Sequence, residues 1–145
     1  MPDRSVDPEL VYSKFETELQ VRPDDIDMYQ HVHSSRYMDY VLAARFDQME
    51  RCYRMPMAEF QQMGYGWFMA TAHLNFKSPL ALGDRFVVRT WIEKFTLIGV
   101  KVQFEIERKA GRKSVCIGWF DYVLVSLQTS RAVRIPEAIR RKYSI

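Results

Sequence analysis

The sequence predicts an α+β protein in which a curved antiparallel sheet of about five strands wraps one long central helix. Three observations support this: an alternating segment near the N-terminus, a long apolar helical segment after it, and four long segments rich in β-branched and aromatic residues. Long strands joined by short turns build antiparallel sheets, and the apolar face of such a sheet can curl around an apolar helix. At 145 residues, we expect residues 1–145 to form a single domain.

The first strand and the long helix are predicted from their periods. Residues 14–22 (KFETELQVR) alternate apolar and polar side chains, as a half-buried strand does. Residues 34–53 combine good helix formers with Ser34 or Ser35 as a plausible N-cap. The apolar positions of this helix cover more than one narrow stripe, so we expect it to be largely enclosed: Tyr37, Met38, Val41, Leu42, Ala43, Ala44, Phe46 and Met49.

A short second helix is predicted to begin at Pro56 and to end at Gly64. The four strand segments that follow are GWFMATAHLNFKSP, DRFVVRTWIEKFTLI, VKVQFEIERKA and RKSVCIGWFDYVLVSL. Credible turns separate them at residues 80–84, at Gly99 and at residues 110–112. We therefore expect these four strands to form a meander.

The composition indicates a soluble cytoplasmic protein. Hydrophobic residues make up 48% and charged residues 27%, and no apolar run approaches the roughly 18 to 20 residues of a membrane span. The N-terminus has no apolar core of a signal peptide, and Cys52 and Cys116 lack the spacing of a disulfide framework or a zinc ribbon. The net charge is +3, with basic residues dispersed except in residues 134–143, a cluster more typical of a solvated helix face than of a nucleic-acid site.

One polar segment requires a functional explanation. Two of the three histidines, His31 and His33, lie one residue apart, after Asp27 and immediately before the long helix. A metal site made of this pair, Asp27 and His73 is one interpretation, since alternate residues of an extended segment point the same way. The sequence has neither a helical HExxH motif nor nearby thiolates, so we expect no metal.

Three motifs in order resemble the hotdog fold, and specifically the 4-hydroxybenzoyl-CoA thioesterase-like family. Residues 25–40 (DIDMYQHVHSSRYMDY) are similar to the family's DxD, short loop and tyrosine-bearing helix start. Residues 75–94 (NFKSPLALGDRFVVRTWIEK) resemble its strand, PL, GD, strand passage, and residues 134–136 (RIP) resemble its ending. The sequence departs from the pattern at Gln30, where glycine is frequent, and at His33, where asparagine is usual.

The resemblance implies an acyl-CoA thioesterase that needs no cofactor. It places the catalytic carboxylate at Asp27, acting as a general base or as a nucleophile. It places the oxyanion site at the helix N-terminus, with the amide of Ser34 first and that of Ser35 next. His31 is expected to assist catalysis or to hold the loop, and His33 and Tyr37 are expected near the substrate, although a structural role is the commoner one for both.

Further expectations concern assembly and substrate. The substrate would be an acyl-CoA or an acyl-carrier-protein thioester, and the protein a homodimer or homotetramer, because a sheet around one helix leaves an edge strand to pair. Basic residues available for coenzyme A phosphates are Lys77, Arg85, Arg89, Lys94 and Arg112. Two alternatives keep the fold and change the class: a non-catalytic acyl binder, and a hotdog dehydratase. Asp25 is expected to have a turn or capping role.

Overall fold

A computed structural model describes residues 12–145. The N-terminal segment searched for a signal peptide lies outside the described residues. The elements are β1 (Lys14–Gln20), α1 (Arg36–Arg51), α2 (Met57–Gln62), β2 (Tyr65–Phe76), β3 (Arg85–Phe95), β4 (Gly99–Arg108), β5 (Ser114–Ser126) and α3 (Glu137–Tyr143). Two short 3-10 helices, Pro23–Asp25 and Ala110–Arg112, lie between them. The predicted elements of the α+β fold are thus present in the predicted order.

The five strands form one antiparallel sheet in the order β1-β3-β4-β5-β2. The expected four-strand meander is wrong for β2, which pairs with β5 and not with β3. The physical reason is the connection at residues 77–84, which is no tight hairpin turn. The Lys77 amide donates to the carbonyl of Val115, and the Leu80 carbonyl accepts from the Val32 amide. The chain therefore crosses to the other half of the sheet before β3 begins beside β1, and β2 becomes an edge strand.

The core lies between α1 and one face of this sheet. Side chains of β3 and β4 alternate between buried and half-buried positions, as period-two burial requires. Tyr37, Val41 and Ala44 of α1 are buried against them. The expectation that α1 is largely enclosed is wrong on one side, since Leu42 is 38% and Phe46 54% exposed. A single sheet layer covers only one side of the helix.

The C-terminal basic segment is partly structural. Arg140 is 8% exposed, and its Nη2 donates to the Thr96 carbonyl at 2.5 Å. The Tyr143 hydroxyl donates to the Met55 carbonyl at 2.6 Å, which ties α3 to the segment between α1 and α2. Within residues 12–145, no helix is long and apolar enough to cross a membrane.

Candidate active site

The segment before α1 folds back on itself as a small hairpin. Ile26 pairs with Val32, the Asp27 amide donates to the His31 carbonyl at 2.8 Å, and the His33 amide donates to the Asp25 carbonyl at 3.0 Å. Gln30 makes the turn with φ at +63°, a left-handed conformation that favours glycine. That preference explains why a glycine is suited to this position. The hairpin keeps Asp27 and the start of α1 within one surface segment.

The Asp27 carboxylate is oriented by backbone amides and keeps one oxygen open. Its Oδ1 accepts hydrogen bonds from the amides of Tyr29 at 2.8 Å and His31 at 3.2 Å. Its Oδ2 accepts none from residues 12–145, and the side chain is half-buried. A positioned carboxylate with a free oxygen can take a proton from water or attack a carbonyl carbon.

The start of α1 offers unpaired backbone donors. Ser35 occupies the N-cap position with φ −66° and ψ −18°, and its hydroxyl makes no capping hydrogen bond. The Arg36 amide donates to the His33 carbonyl, whereas the amides of Ser34 and Ser35 donate to no residue in the described part of the chain. Free amides at the positive end of a helix dipole suit a developing oxyanion.

Asp25 is the buried anchor of this segment. It is 1% exposed, and its Oδ2 accepts from the Tyr40 hydroxyl at 2.7 Å and from the Arg22 amide at 3.3 Å. The Nε atoms of Arg22 and Arg36 lie 3.7 and 3.8 Å from its carboxylate. Asp25, the first aspartate of the DxD motif, thus connects the hairpin to the second turn of α1. Asp27, the second aspartate, faces outward.

The histidines do not cluster as a metal site. The rings of His31 and His33 are exposed and make no hydrogen bond with residues 12–145, so His31 meets the Asp27 carboxylate only through its backbone amide. His73 lies on β2 and stacks on Trp119 at 4.2 Å between ring centroids. No group of three or more His, Cys, Asp or Glu among the described residues could hold a metal ion.

Tyr37 lies in the core directly behind the hairpin. Its side chain is 4% exposed, and its hydroxyl accepts a hydrogen bond from the Leu80 amide at 3.1 Å. Burial raises the pKa of Tyr37, and the negative charge of Asp27 acts in the same direction. Tyr37 therefore lies within electrostatic reach of the Asp27 carboxylate, while its contact with a substrate stays a prediction.

Two of the basic residues that the sequence suggested for coenzyme A phosphates form ion pairs within the sheet. Arg85 is paired with Glu18 at 3.3 Å, and Arg89 lies 2.6 Å from Glu16. Sequence reasoning missed Arg22 and Arg36, which are 68% and 42% exposed in their side chains and flank the helix start. The signal available in the sequence was their position, since Arg22 precedes the DxD motif and Arg36 follows it at the start of α1.

Sequence analysis also did not predict the apolar cavity that lies between α1 and the sheet. The cavity has a volume of about 310 Å³ and lies beside the second half of α1. It is lined mainly by apolar and aromatic side chains, with Arg45 as the charged member. A charged residue inside the apolar stretch VLAARF was the signal that could have pointed to it.

Comparisons with known proteins identify the family of this chain. Residues 21–143 match the Thioesterase-like superfamily. The chain is 22% identical over 130 residues to the long-chain acyl-CoA thioesterase FadM of Escherichia coli, covering 88% of this chain and 95% of FadM.

Two solved structures show the same fold. The DHNA-CoA thioesterase of Staphylococcus aureus superposes with a TM-score of 0.83 at 18% identity, over 90% of this chain and 89% of that one. The hypothetical protein TT1821 of Thermus thermophilus superposes with a TM-score of 0.81 at 28% identity, over 89% and 96%. The chain therefore has the hotdog fold and belongs to the thioesterase-like superfamily, a family of thioester hydrolases.

Proposed function

We propose that this protein hydrolyses acyl-CoA thioesters, with Asp27 as the general base or nucleophile and the amides of Ser34 and Ser35 as the oxyanion site. The observation that carries the proposal is the oriented Asp27 carboxylate with a free Oδ2, in the segment that leads to two unpaired amides. Similarity to FadM, named an acyl-CoA thioesterase, supports the choice of substrate.

The chemistry follows from these groups. In one route, Oδ2 removes a proton from a water molecule that attacks the thioester carbonyl, and the C–S bond then breaks to release the free acid and the coenzyme A thiolate, which takes up the proton. In the other, Oδ2 attacks the carbonyl itself, expels the coenzyme A thiolate and forms a mixed anhydride that water opens. In both routes negative charge develops on the carbonyl oxygen, where the Ser34 amide donates. Losing such a donor costs about 2.7 to 4 kcal/mol of transition-state stabilisation.

The test is thiol release from short, medium, long and aromatic acyl-CoAs by the parent and by Asp27→Asn. Asparagine retains the Oδ1 acceptor for the Tyr29 and His31 amides, so the hairpin should persist. We expect a loss of about 10²- to 10⁴-fold in kcat, while Asp24→Asn, at an exposed neighbouring aspartate, serves as the matched control. Equal rates for the parent and Asp27→Asn would refute the mechanism.

The oxyanion assignment has its own test. Ser34→Pro removes the backbone donor, and Ser34→Ala retains it. We expect Ser34→Pro to lose about 10²- to 10³-fold in kcat and Ser34→Ala to remain close to the parent. Thermal unfolding of both variants checks that the helix start is intact. If neither the parent nor any variant releases thiol while acyl-CoA still binds, the non-catalytic acyl binder becomes the better description, and hydration of an enoyl-CoA tests the dehydratase.

The proposal includes a homodimer or homotetramer. The outer side of β2 pairs with no other strand among residues 12–145, and its residues 70–73 are all exposed. A long unpaired edge is normally covered, and a second copy of the same strand can cover it. Light scattering should give at least the dimer mass, and a monomer at micromolar concentration would contradict this part of the proposal.

A further inference from the structure

The cavity beside α1 has the size and lining of a chain-binding site. Leu42, Phe46 and Met49 of α1 line one side, and Trp67 and Tyr122 of the sheet line the other. Its volume of about 310 Å³ is roughly twice that of a 150 Å³ cavity that binds benzene. The exposed side chains of Leu42 and Phe46 lie at its opening side. These features are typical of a small-molecule pocket with few polar groups.

Arg45 is the exception within this apolar lining. It is 8% exposed, and its Nη1 has no hydrogen-bond partner in the described part of the chain. Its Cζ lies 5.5 Å from the ring centroid of Tyr53, whose buried hydroxyl lies close to the guanidinium without forming a hydrogen bond of normal geometry. No acidic residue lines the cavity, and Arg45 forms no ion pair with residues 12–145.

The guanidinium of Arg45 lies close enough to three buried tyrosines to affect their pKa values. Burial raises the pKa of Tyr53, of Tyr122 and of Tyr143, and in each case the positive charge of Arg45 offsets part of the effect. Buried charges in proteins are normally paired, because removing an ion from water is costly without a partner. An arginine fork that lines an apolar cavity and lacks a carboxylate is therefore suited to a ligand that brings an oxygen acceptor.

We propose that the cavity binds the acyl chain of the substrate and that Arg45 pairs with an oxygen at the far end of that chain, a terminal carboxylate above all. This inference rests on the proposed thioesterase function. Arg45 lies nine residues after Arg36, about 14 Å along the helix axis at 1.5 Å per residue. The substrate class is thus medium-length acyl-CoA with a polar ω-end, and Arg45 determines specificity for that end.

The experiment compares two thioesters that differ only at the chain end, decanoyl-CoA and the same chain ending in a carboxylate. We expect the parent to favour the ω-carboxyl chain by about 10-fold or more in kcat/KM, the range for a hydrogen bond to a charged group. Arg45→Met should reduce this ratio about 10-fold, and Arg45→Lys should retain most of it. Arg51→Met, at an exposed arginine of the same helix, should leave the ratio unchanged.

A purely structural Arg45 would give a different result. Arg45→Met would then lower kcat/KM for both thioesters alike and leave their ratio at the parent value. A kcat/KM ratio near one for the two thioesters with the parent would also overturn the inference. The thioesterase function would still stand in that case, because both thioesters would be hydrolysed.

Equilibrium binding separates this inference from the proposed function. The probes are methyl decanoate and the monomethyl ester of decanedioic acid, which carry a neutral ester at one end and differ at the other. We expect the parent to bind the carboxylate-ended probe about 10-fold more tightly, and Arg45→Met to lose that preference. If this binding preference is observed but the parent releases no thiol from any acyl-CoA, the cavity assignment is supported and the proposed hydrolase function is refuted. Equal binding of the two probes by the parent would refute the cavity assignment.

Discussion

The hydroxyl of Tyr40 donates a 2.7 Å hydrogen bond to Oδ2 of the buried Asp25 carboxylate. Tyr40 belongs to the second turn of α1, and Asp25 lies two residues before Asp27 on the same arm of the hairpin. The same carboxylate lies 3.8 Å from Nε of Arg36, the first residue of the helix. The position of the outward-facing Asp27 relative to the helix start therefore depends on an inward-facing aspartate two residues earlier.

Tyr40→Phe removes this donor and leaves the buried carboxylate with fewer partners. We expect a loss of about 1 to 3 kcal/mol in the free energy of unfolding, the usual cost of an unsatisfied buried polar group. Urea unfolding followed by circular dichroism measures it. Tyr29→Phe, which removes the hydroxyl of a tyrosine that is 74% exposed, is the matched control and should stay within about 0.5 kcal/mol of the parent. Equal stabilities of Tyr40→Phe and the control would show that Asp25 does not need the phenol.

Gln48 links α1 to the sheet through a buried polar pair. The Thr90 hydroxyl donates to Gln48 Oε1, and Gln48 Nε2 donates to Thr17 Oγ1 at 3.1 Å. Gln48→Leu should cost about 1 to 3 kcal/mol, since it leaves the Thr90 hydroxyl buried without its acceptor. Adding Thr90→Val removes that orphaned group, so the double variant should lose less than the sum of the two single losses. Strict additivity in a double-mutant cycle would show that the pair is not coupled.

Buried tyrosines should make the fold sensitive to alkali. Burial raises the pKa of Tyr122 to about 12 and raises those of Tyr40 and Tyr143, whereas an unfolded tyrosine ionises near pH 10. Above about pH 10 the unfolded chain loses protons that the native protein retains, so stability falls as pH rises. For Tyr122 alone the loss reaches about 2 to 3 kcal/mol by pH 12.

Urea midpoints between pH 8 and about 11.5 test this dependence, with tyrosinate absorbance recorded on the same samples. Tyr122→Phe should flatten the decline, because phenylalanine has no proton to lose. A parent midpoint that is constant across this range, or an unchanged slope in Tyr122→Phe, would contradict the assignment of buried neutral phenols.

Gly118 permits the close approach of β5 and β2. A Cβ at this position would lie 1.8 Å from the His73 carbonyl oxygen, which is backbone and cannot rotate away. Gly118→Ala should therefore cost about 3 kcal/mol or more and weaken amide protection along β2, because overpacking forces the strands apart. Gly111→Ala meets open space at φ +78° and should cost only about 1 to 2 kcal/mol. Comparable losses for the two variants would mean that β2 adapts to the methyl group.

The sequence alone determined the class of fold, the positions of the strands and of the long helix, and the segment that carries the candidate site. Periodicity and turn residues are local signals, so they identified β3, β4 and β5 as well as α1, whose N-cap is Ser35, one of the two serines predicted for that position. Asp27 was selected on different grounds, because residues 25–40 resemble the motif of the thioesterase-like family, and its catalytic role stays a prediction.

Only the tertiary structure decided which strands are neighbours and what the buried faces contact. Local pattern predicts that β2 is a strand, but its place beside β5 depends on the backbone hydrogen bonds of the 77–84 crossing. Likewise the helical period places Arg45 among apolar neighbours, yet the cavity next to it exists only because α1 and the sheet fail to close over Leu42 and Phe46. The periodic pattern of a helix or strand indicates which face a side chain lies on. The residues that it contacts there come from distant parts of the chain, so the local pattern does not identify them.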